Sequence, residues 1–382
     1  MESCFIPKKI IIIFNEVKKG YNQYKLNMNK PKLDHLYRMT DSVGILEHSL
    51  IATPDLREGY CVDDNARALR VALRLREKKL IDVYLKFLVA SAGEGTFKND
   101  LDQSFEWQNE GLGENFGRAM AALAETAKLG LREDQRLTGM FLFDQYADRI
   151  GKVESVRSKA WLIYGLLVRG QCSPKLELVL EDYVKVKVSQ KKIGQMSKCD
   201  FKKIANSLSE ELTKSYEENS DSSWKWFEDM ITYDIGRLPL ALFRAYSFFG
   251  NLKYLSIARE SLDFLLEQIY DKRLDCFSFP GYRGWFEKNG NRSIFGQQPV
   301  EAGSVVEACT EAFSVTKERK YIDSAKKALD WYHGRNILKI KMVDQNTGGV
   351  YDGLEKEGVN LNQGAEALLS YLHARLAFEE VS

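Results

Sequence analysis

Histidine is scarce in this chain of 382 residues, and the shortage narrows its chemistry. The four histidines, His35, His48, His333 and His373, lie far apart; His48 follows Asp41 and Glu47, but His35, His333 and His373 lack carboxylate company at metal-ligand spacing, so no transition-metal centre is expected. The six cysteines are equally dispersed, with no CxxC pair; free thiols in a reducing compartment and no structural zinc are the expectation. Seven prolines and the lack of any Gly/Ser-rich or Pro-rich tract leave no obvious linker. A formal charge of +1 removes any bulk bias toward nucleic acid or acidic lipid. Residues 10–14 form the apolar run nearest the N-terminus, too short to span a membrane and without a small-residue cleavage site. Neither a Walker loop, a GxGxxG turn nor a GxSxG elbow occurs, so no nucleotide-dependent chemistry and no cofactor is expected. A cytoplasmic protein without membrane or nucleic-acid partners is the resulting expectation; the lysine-rich piece 185–203, with no interleaved aromatics, reads as a solvated face.

What is abundant is helical periodicity. With 44% hydrophobic residues the chain can bury a large core. The apolar spacing predicts helices over 42–51, 63–79, 80–92, 115–129, 133–150, 156–169, 174–188, 201–218, 235–249, 252–269, 300–316, 319–334 and 362–378, with no convincing strand. Gly130, Gly170, Gly250 and Gly334 stand where left-handed helix caps would be useful. Two stretches resemble each other as helical hairpins: Leu240 to Tyr246 followed by Lys253, Tyr254 and Ala258, and Ala308 to Phe313 followed by Lys320, Tyr321 and Ala325. In each, the first helix is richer in alanine and the second in charge, as for inner helices wrapped by outer ones. Long aromatic and acidic loops precede the less charged helices, which gathers those loops at one end. The fold expected is all-α, an (α/α)6 toroid: an N-terminal arm over 1–32, then one barrel over 33–382.

The densest polar cluster runs from Arg57 to Arg67. It sets Tyr60, Asp63, Asp64, Asn65 and Arg67 at the start of an apolar helix. One carboxylate there has a plain structural reason, to accept the free N–H groups of the first turn, and Asp64 can pair with Arg67 three residues on. Capping does not require the second acid, the ring and the guanidinium, so a polar pocket is the stronger reading. The other loops hold Trp107 and Glu110 before Asn115, Trp224 and Trp226 before Asp234, Trp285 before Gln298 and Glu301, and a last polar segment at Asn362 and Gln363. Rings interspersed with carboxylates and amides suit a sugar, whose C–H faces lie on the rings while the polar groups take its hydroxyls. Glycoside hydrolysis uses two carboxyls, roughly 6.5–9.5 Å apart when the reaction inverts. Asp41, Glu47, Asp63, Asp64, Glu106, Glu110, Asp234, Glu301 and Glu366 are all candidates. Asp63 or Asp64 with Glu301 is the favoured catalytic pair. Asp41, His48, Tyr60, Arg67, Trp107, Glu110, Asn115, Trp224, Trp226, Asp234, Trp285, Gln298, Asn362 and Gln363 are the expected substrate contacts.

Four motifs in order, Thr40 to His48, Glu58 to Leu69, Gln298 to Ala302, and Asn362 to Glu366, resemble an (α/α)6-toroid family of the six-hairpin glycosidase type. Its members occur as free proteins or attached to glycosyltransferase domains and are often labelled glycosyltransferase. The resemblance spans about residues 33 to 378. It implies a carbohydrate-active barrel whose site lies at the inner-helix N-termini, where Asp41, Asp63, Asp64, Glu301 and Asn362 fall. Ser42 stands where the family commonly has a second acid, and Glu47 where it commonly has glutamine. The reading that follows is an inverting glycoside hydrolase acting on an oligosaccharide, mannose-containing by family association, with a functional link to glycosyltransferases or mannoside-processing enzymes. A non-catalytic glycan-binding module and a sugar 2-epimerase, which uses a similar toroid but relies on histidine pairs, are the alternatives.

Overall fold

The computed structural model describes residues 30–172 and 198–382. Most of the expected N-terminal arm, the helix expected at 174–188 and most of the lysine-rich piece lie outside the described residues. Twelve α-helices follow one another among them: α1 (Asp34–Met39), α2 (Val62–Leu75), α3 (Lys78–Ser91), α4 (Glu114–Leu129), α5 (Glu133–Tyr146), α6 (Val156–Arg169), α7 (Lys198–Asn219), α8 (Arg237–Phe249), α9 (Leu252–Ile269), α10 (Pro299–Thr316), α11 (Arg319–Tyr332) and α12 (Ala365–Glu379). The even-numbered helices pack in a ring, α2 on α4, α4 on α6, α6 on α8, α8 on α10, α10 on α12, and α12 back on α2. The odd-numbered helices α3, α5, α9 and α11 each pack outside the inner helix that precedes them, while α7 follows α6 and packs on it. This is the (α/α)6 toroid.

Composition explains which helices are inside. An inner helix is covered on nearly every side, so α4 buries every residue from Asn115 to Ala127, including five alanines, Ala119, Ala121, Ala122, Ala124 and Ala127. Small residues let the inner helices close on one another. A side chain at Gly303 of α10 would sit 2.8 Å from the Ser370 carbonyl oxygen of α12, and one at Gly117 of α4 would meet Ser158 of α6 at 2.7 Å. Larger rings fill the space between layers, as where Phe97 lies edge-on to Tyr146 at 4.7 Å and Trp331 to Phe279 at 5.6 Å. Packing of this kind costs cavity energy when truncated.

The lumen is lined by buried paired charges. Arg70 of α2 and Glu125 of α4, each 1% exposed, pair at 2.8 Å. Arg237 of α8 bonds Glu307 of α10 at 2.7 Å and Asp234 at 3.1 Å. The Arg237 and Arg70 guanidinium groups lie over the Trp161 ring at 3.7 and 4.6 Å.

The structure departs from the periodic reading in several places, one of them the unpredicted helix α1. Residues 42–51 are not a helix: Asp41 accepts the Val43 and Gly44 N–H groups, and Asn65 Oδ1 takes the Ile45 N–H, so the backbone donors are spent on side chains and the chain enters β1 (Ser49–Leu50). Short strands do occur. Antiparallel ribbons pair β1 with β2 (Thr53–Pro54), β3 (Tyr60–Cys61) with β4 (Lys98–Leu101), β4 with β5 (Trp107–Glu110), β6 (Met230–Ile231) with β9 (Phe286–Glu287), β7 (Tyr270–Asp271) with β8 (Cys276–Phe277), and β10 (Gly353–Glu355) with β11 (Gly358–Asn360). At two to four residues each they are too short for alternation to register. Of the four expected glycine caps, Gly250 and Gly334 have positive φ, while Gly130 and Gly170 do not. Left-handed caps at α2 and α10 fall instead on Arg76 and Lys317.

Cys61, Cys276 and Cys309 are free and buried. All three are expected to resist alkylation in the native protein and to react on unfolding, as mass spectrometry of iodoacetamide-treated samples would report. Rapid native labelling of Cys61 would contradict its packing beneath the mouth.

Candidate functional site

The N-terminal ends of the inner helices and the ribbons that feed them surround one mouth. Its first wall is the strand-to-helix junction at β3 and α2. Cys61 is the N-cap: its Sγ accepts the Asp64 N–H at 3.5 Å and its thiol donates to Asp64 Oδ2 at 3.4 Å. Asp64 Oδ1 accepts Arg67 Nη1 at 2.7 Å, and Arg67 Nη2 reaches Glu366 of α12 at 2.8 Å. The guanidinium thus joins the first and last inner helices of the ring. Asp63 points the other way, toward α4, and accepts Arg118 Nη1 at 3.0 Å with 27% of its side chain exposed. Arg118 Nη2 also bonds Glu114 at 2.9 Å, and Glu114 accepts the Tyr233 hydroxyl at 2.5 Å. Paired charges therefore run along the rim from α12 through α2 and α4 to the loop before α8.

Glu47 completes this wall. Its backbone is held on both sides, donating to the Gly59 carbonyl and accepting from the Ala365 N–H. Its carboxylate, the Asp64 carboxylate and the Cys61 sulfur all lie within 4.8 Å of one another. Burial pushes the Glu47 carboxyl up to about 7, with the Asp64 charge adding and His48 opposing. His48 Nε2 lies 3.5 Å from Glu47, and the Glu47 side chain keeps 33% exposure. Asp352, across at the loop before α12, is raised to about 6, first by burial, although its Oδ1 accepts the Gly364 N–H at 2.6 Å. Burial likewise raises the Asp64 carboxyl, with Arg67 opposing.

Glu47, Cys61 and Asp64 are also the one group among the described residues with the proximity of metal ligands. The fit to a cation is poor. The Cys61 thiol is pushed well up by burial and then by Asp64, and Asp64 is already paired with a guanidinium.

The remaining expected residues divide by placement. Glu301, in the first turn of α10, is 0% exposed; its Oε2 accepts the Ile235 N–H at 3.2 Å, its Oε1 has no partner among the described residues, and burial raises it well above the ordinary carboxylate range. Asp234 has positive φ and is buried; burial works against its charge, but Arg237 and Arg118 outweigh it and hold the carboxyl low. Tyr60 donates to Asp41 Oδ2 at 2.6 Å, which ties the α1 connection to β3. Asn362 Oδ1 accepts the Ile51 N–H at 2.9 Å, and Gln363, buried, donates its N–H to Ser49 Oγ. Gln298 is the partly exposed residue before Pro299 at the start of α10, and Asn115 is buried in the first turn of α4. Glu110 is tied back to the Thr96 N–H at 3.2 Å.

The tryptophans separate sharply. Trp285 is partly exposed, with its ring 6.1 Å from Tyr233, and Trp107 is partly exposed against Phe87. Trp224 and Trp226 are core: Trp224 packs edge-on to Phe264 and Phe286 and donates Nε1 to the Glu228 carbonyl, while Trp226 is fully buried. The stacking expected of these two does not fit their placement, because the ring faces are covered by protein.

Of the histidines, only His48 stands at the mouth. His35 is buried with Nε2 on the Gln363 carbonyl, and His333 caps α11 beside Tyr371. His373 lines the lumen, bonded to the Arg67 carbonyl; burial and then Arg70 lower it to about 3. Sequence reasoning passes over Arg118, Glu114, Tyr233 and Asp352. Glu114 and Arg118 do carry a signal, an acid and a base four residues apart at the head of an inner helix.

No protein-family model and no curated protein matches this sequence. Solved structures match it in fold. A cellobiose 2-epimerase from Bacillus thermoamylovorans is 12% identical, with 98% of this chain and 99% of that one covered at a TM-score of 0.65. A D-mannose isomerase is 11% identical, with 97% of each chain covered and a TM-score of 0.65. A glycoside hydrolase family 76 mannosidase from Bacteroides thetaiotaomicron is 13% identical, with 90% of this chain and 94% of that one covered at a TM-score of 0.52. Among the described residues no helix is long and apolar enough to cross a membrane. The ring of inner helices and these likenesses together establish the (α/α)6 toroid as the fold of this chain.

Proposed function

We propose that the chain is a carbohydrate-active enzyme, a glycoside hydrolase cleaving an oligosaccharide at this mouth. The observation that carries the reading is the unequal setting of two carboxyls on one wall. Glu47 holds its proton up to about pH 7, while Asp63 is ion-paired to Arg118 and open to solvent. Glu47 then gives its proton to the glycosidic oxygen as the C–O bond breaks. Asp63 takes a proton from the water that attacks the anomeric carbon, inverting it. Asp64, with one oxygen on Arg67 and the other on the Cys61 thiol, orients this wall. Glu301, enclosed beneath the mouth, supports the floor through Ile235. Asp41, Tyr60, His48 and Asn362 border the pocket on the α1 and α12 sides. A mannose-containing substrate is supported by the family resemblance and by the mannosidase likeness.

Epimerisation is the second reading, favoured by the epimerase and isomerase likenesses. Against it stands the placement of the histidines, since a pair working on one sugar needs two rings at the mouth. The test is NMR of purified protein with manno- and gluco-oligosaccharides in D2O. Hydrolysis is expected to release a new reducing end as a single anomer with shorter chains. Deuterium at C2 and a 2-epimer of unchanged length would replace it with epimerisation. Binding without turnover across the panel would leave a glycan-binding module.

A further inference from the structure

Resting on the hydrolase reading, we propose that Tyr233 and Trp285 form a stacking platform for a second pyranose, displaced along the rim from the scissile bond, so that the substrate is an extended glycan of three or more units. The short β6–β9 ribbon makes the platform. Ile231 pairs with Phe286, which brings Tyr233, two residues after β6, and Trp285, immediately before β9, to the same end of the ribbon. Their ring centroids lie 6.1 Å apart at 49°.

Polar contacts hold the Tyr233 side chain and the Trp285 backbone, and both residues remain at least partly open to solvent. The Tyr233 hydroxyl is held by Glu114, its carbonyl accepts Arg157 Nε at 2.7 Å, and its ring lies on the Arg157 guanidinium at 4.6 Å. It remains 38% exposed. The Trp285 backbone bonds Gly281 and Ser293 and adopts φ +48°, an uncommon setting for a bulky residue that persists only where its surroundings impose it. A partly exposed aromatic pair on a held backbone is preorganised for a ligand with an apolar face and loses less rotamer entropy on binding than a free loop would. Pyranose offers that face: its axial C–H groups carry slight positive charge and lie against the negative face of a ring.

The platform is continuous with the proposed chemistry. Tyr233, Glu114, Arg118 and Asp63 form an unbroken contact chain, so the rings and Asp63 share one stretch of the rim. That unit of the ligand should not be anionic, because Glu114 and Glu228 flank the rings and Arg157 is already bonded to Glu228 and Thr232.

The test compares KM for glycans of two and of five units in the wild-type protein and in Trp285→Ala, Tyr233→Ala and Tyr233→Phe. The wild type is expected to favour the longer chain at least 10-fold. Both alanine variants should bring that ratio to within twofold of unity, and Tyr233→Phe, which keeps the ring but loses the Glu114 bond, should retain most of it. Unchanged ratios in both alanine variants overturn the platform. Titration of tryptophan fluorescence with the same glycans, wild type against Trp285→Phe, reads binding without turnover. A signal that depends on Trp285 with no hydrolysis sustains the platform while removing the hydrolase reading; hydrolysis with no Trp285 signal and no length preference does the reverse.

Discussion

Glu47→Gln should lower kcat/KM by about 10²- to 10⁴-fold on unactivated oligosaccharides, the usual range for losing a positioned general acid. In the wild type the alkaline limb of the kcat/KM profile should fall near pH 7, where Glu47 loses its proton, and the variant should lack that limb. An aryl glycoside with a good leaving group needs little protonation and should recover most of the loss. The folded Glu47 carboxyl titrates at about 7, above the unfolded value of about 4.3, so the native state holds a proton that the unfolded chain has released between those values. Its contribution to stability is therefore lost as pH rises through 7. The same variant should be more heat-stable than the wild type at pH 8 and little different at pH 5, measured by differential scanning fluorimetry. Equal pH profiles for both proteins would assign the proton to another group, and Asp352 would be next to replace.

Arg237→Met is expected to produce the largest loss of stability, about 3–5 kcal/mol, as for other buried ion pairs broken from one side. Methionine fills much of the volume but leaves Asp234 and Glu307 in the lumen without the cation that both contact. The pH dependence separates this from a packing defect. Burial disfavours the Glu307 charge, yet Arg237 leads the opposing interactions that hold it well below the carboxylate range. The stability it supplies is present above the unfolded carboxyl value and disappears as pH falls toward the folded one. The gap between wild type and variant should narrow below about pH 4, as urea unfolding at successive pH values would register. A gap constant with pH would mean that the introduced methionine packs badly and the charges matter little.

Helix placement is legible where local chemistry agrees with periodicity. The range 156–169 matches to the residue because Ser155 caps it, and 252–269 because Asn251 does. The stretch 42–51 misleads because its apolar spacing imitates a helix, while the partner that cancels it, Asn65, lies twenty positions beyond Ile45. The site divides in the same manner. Asp63, Asp64 and Arg67 stand out because one helix turn collects them. Tyr233, Glu114 and Asp352 come from three separate segments, and nothing in any one segment announces the others. The tryptophans show a further limit, since Trp224 and Trp285 occupy equally aromatic loops and only tertiary packing decides which one faces outward.

The Arg67 clasp has a consequence for how the protein is made. Arg67 and Glu366 are 299 positions apart, and the carboxylate wall needs both. At roughly 5–20 residues per second, a ribosome spends on the order of 15 to 60 seconds between these two residues. Throughout that interval the nascent chain carries Asp64 and Arg67 without their third member and α2 without its neighbour α12. The pocket is thus the last part of the toroid to be finished, so a chain that stops before α12 keeps most of the inner helices and lacks the seam that joins them.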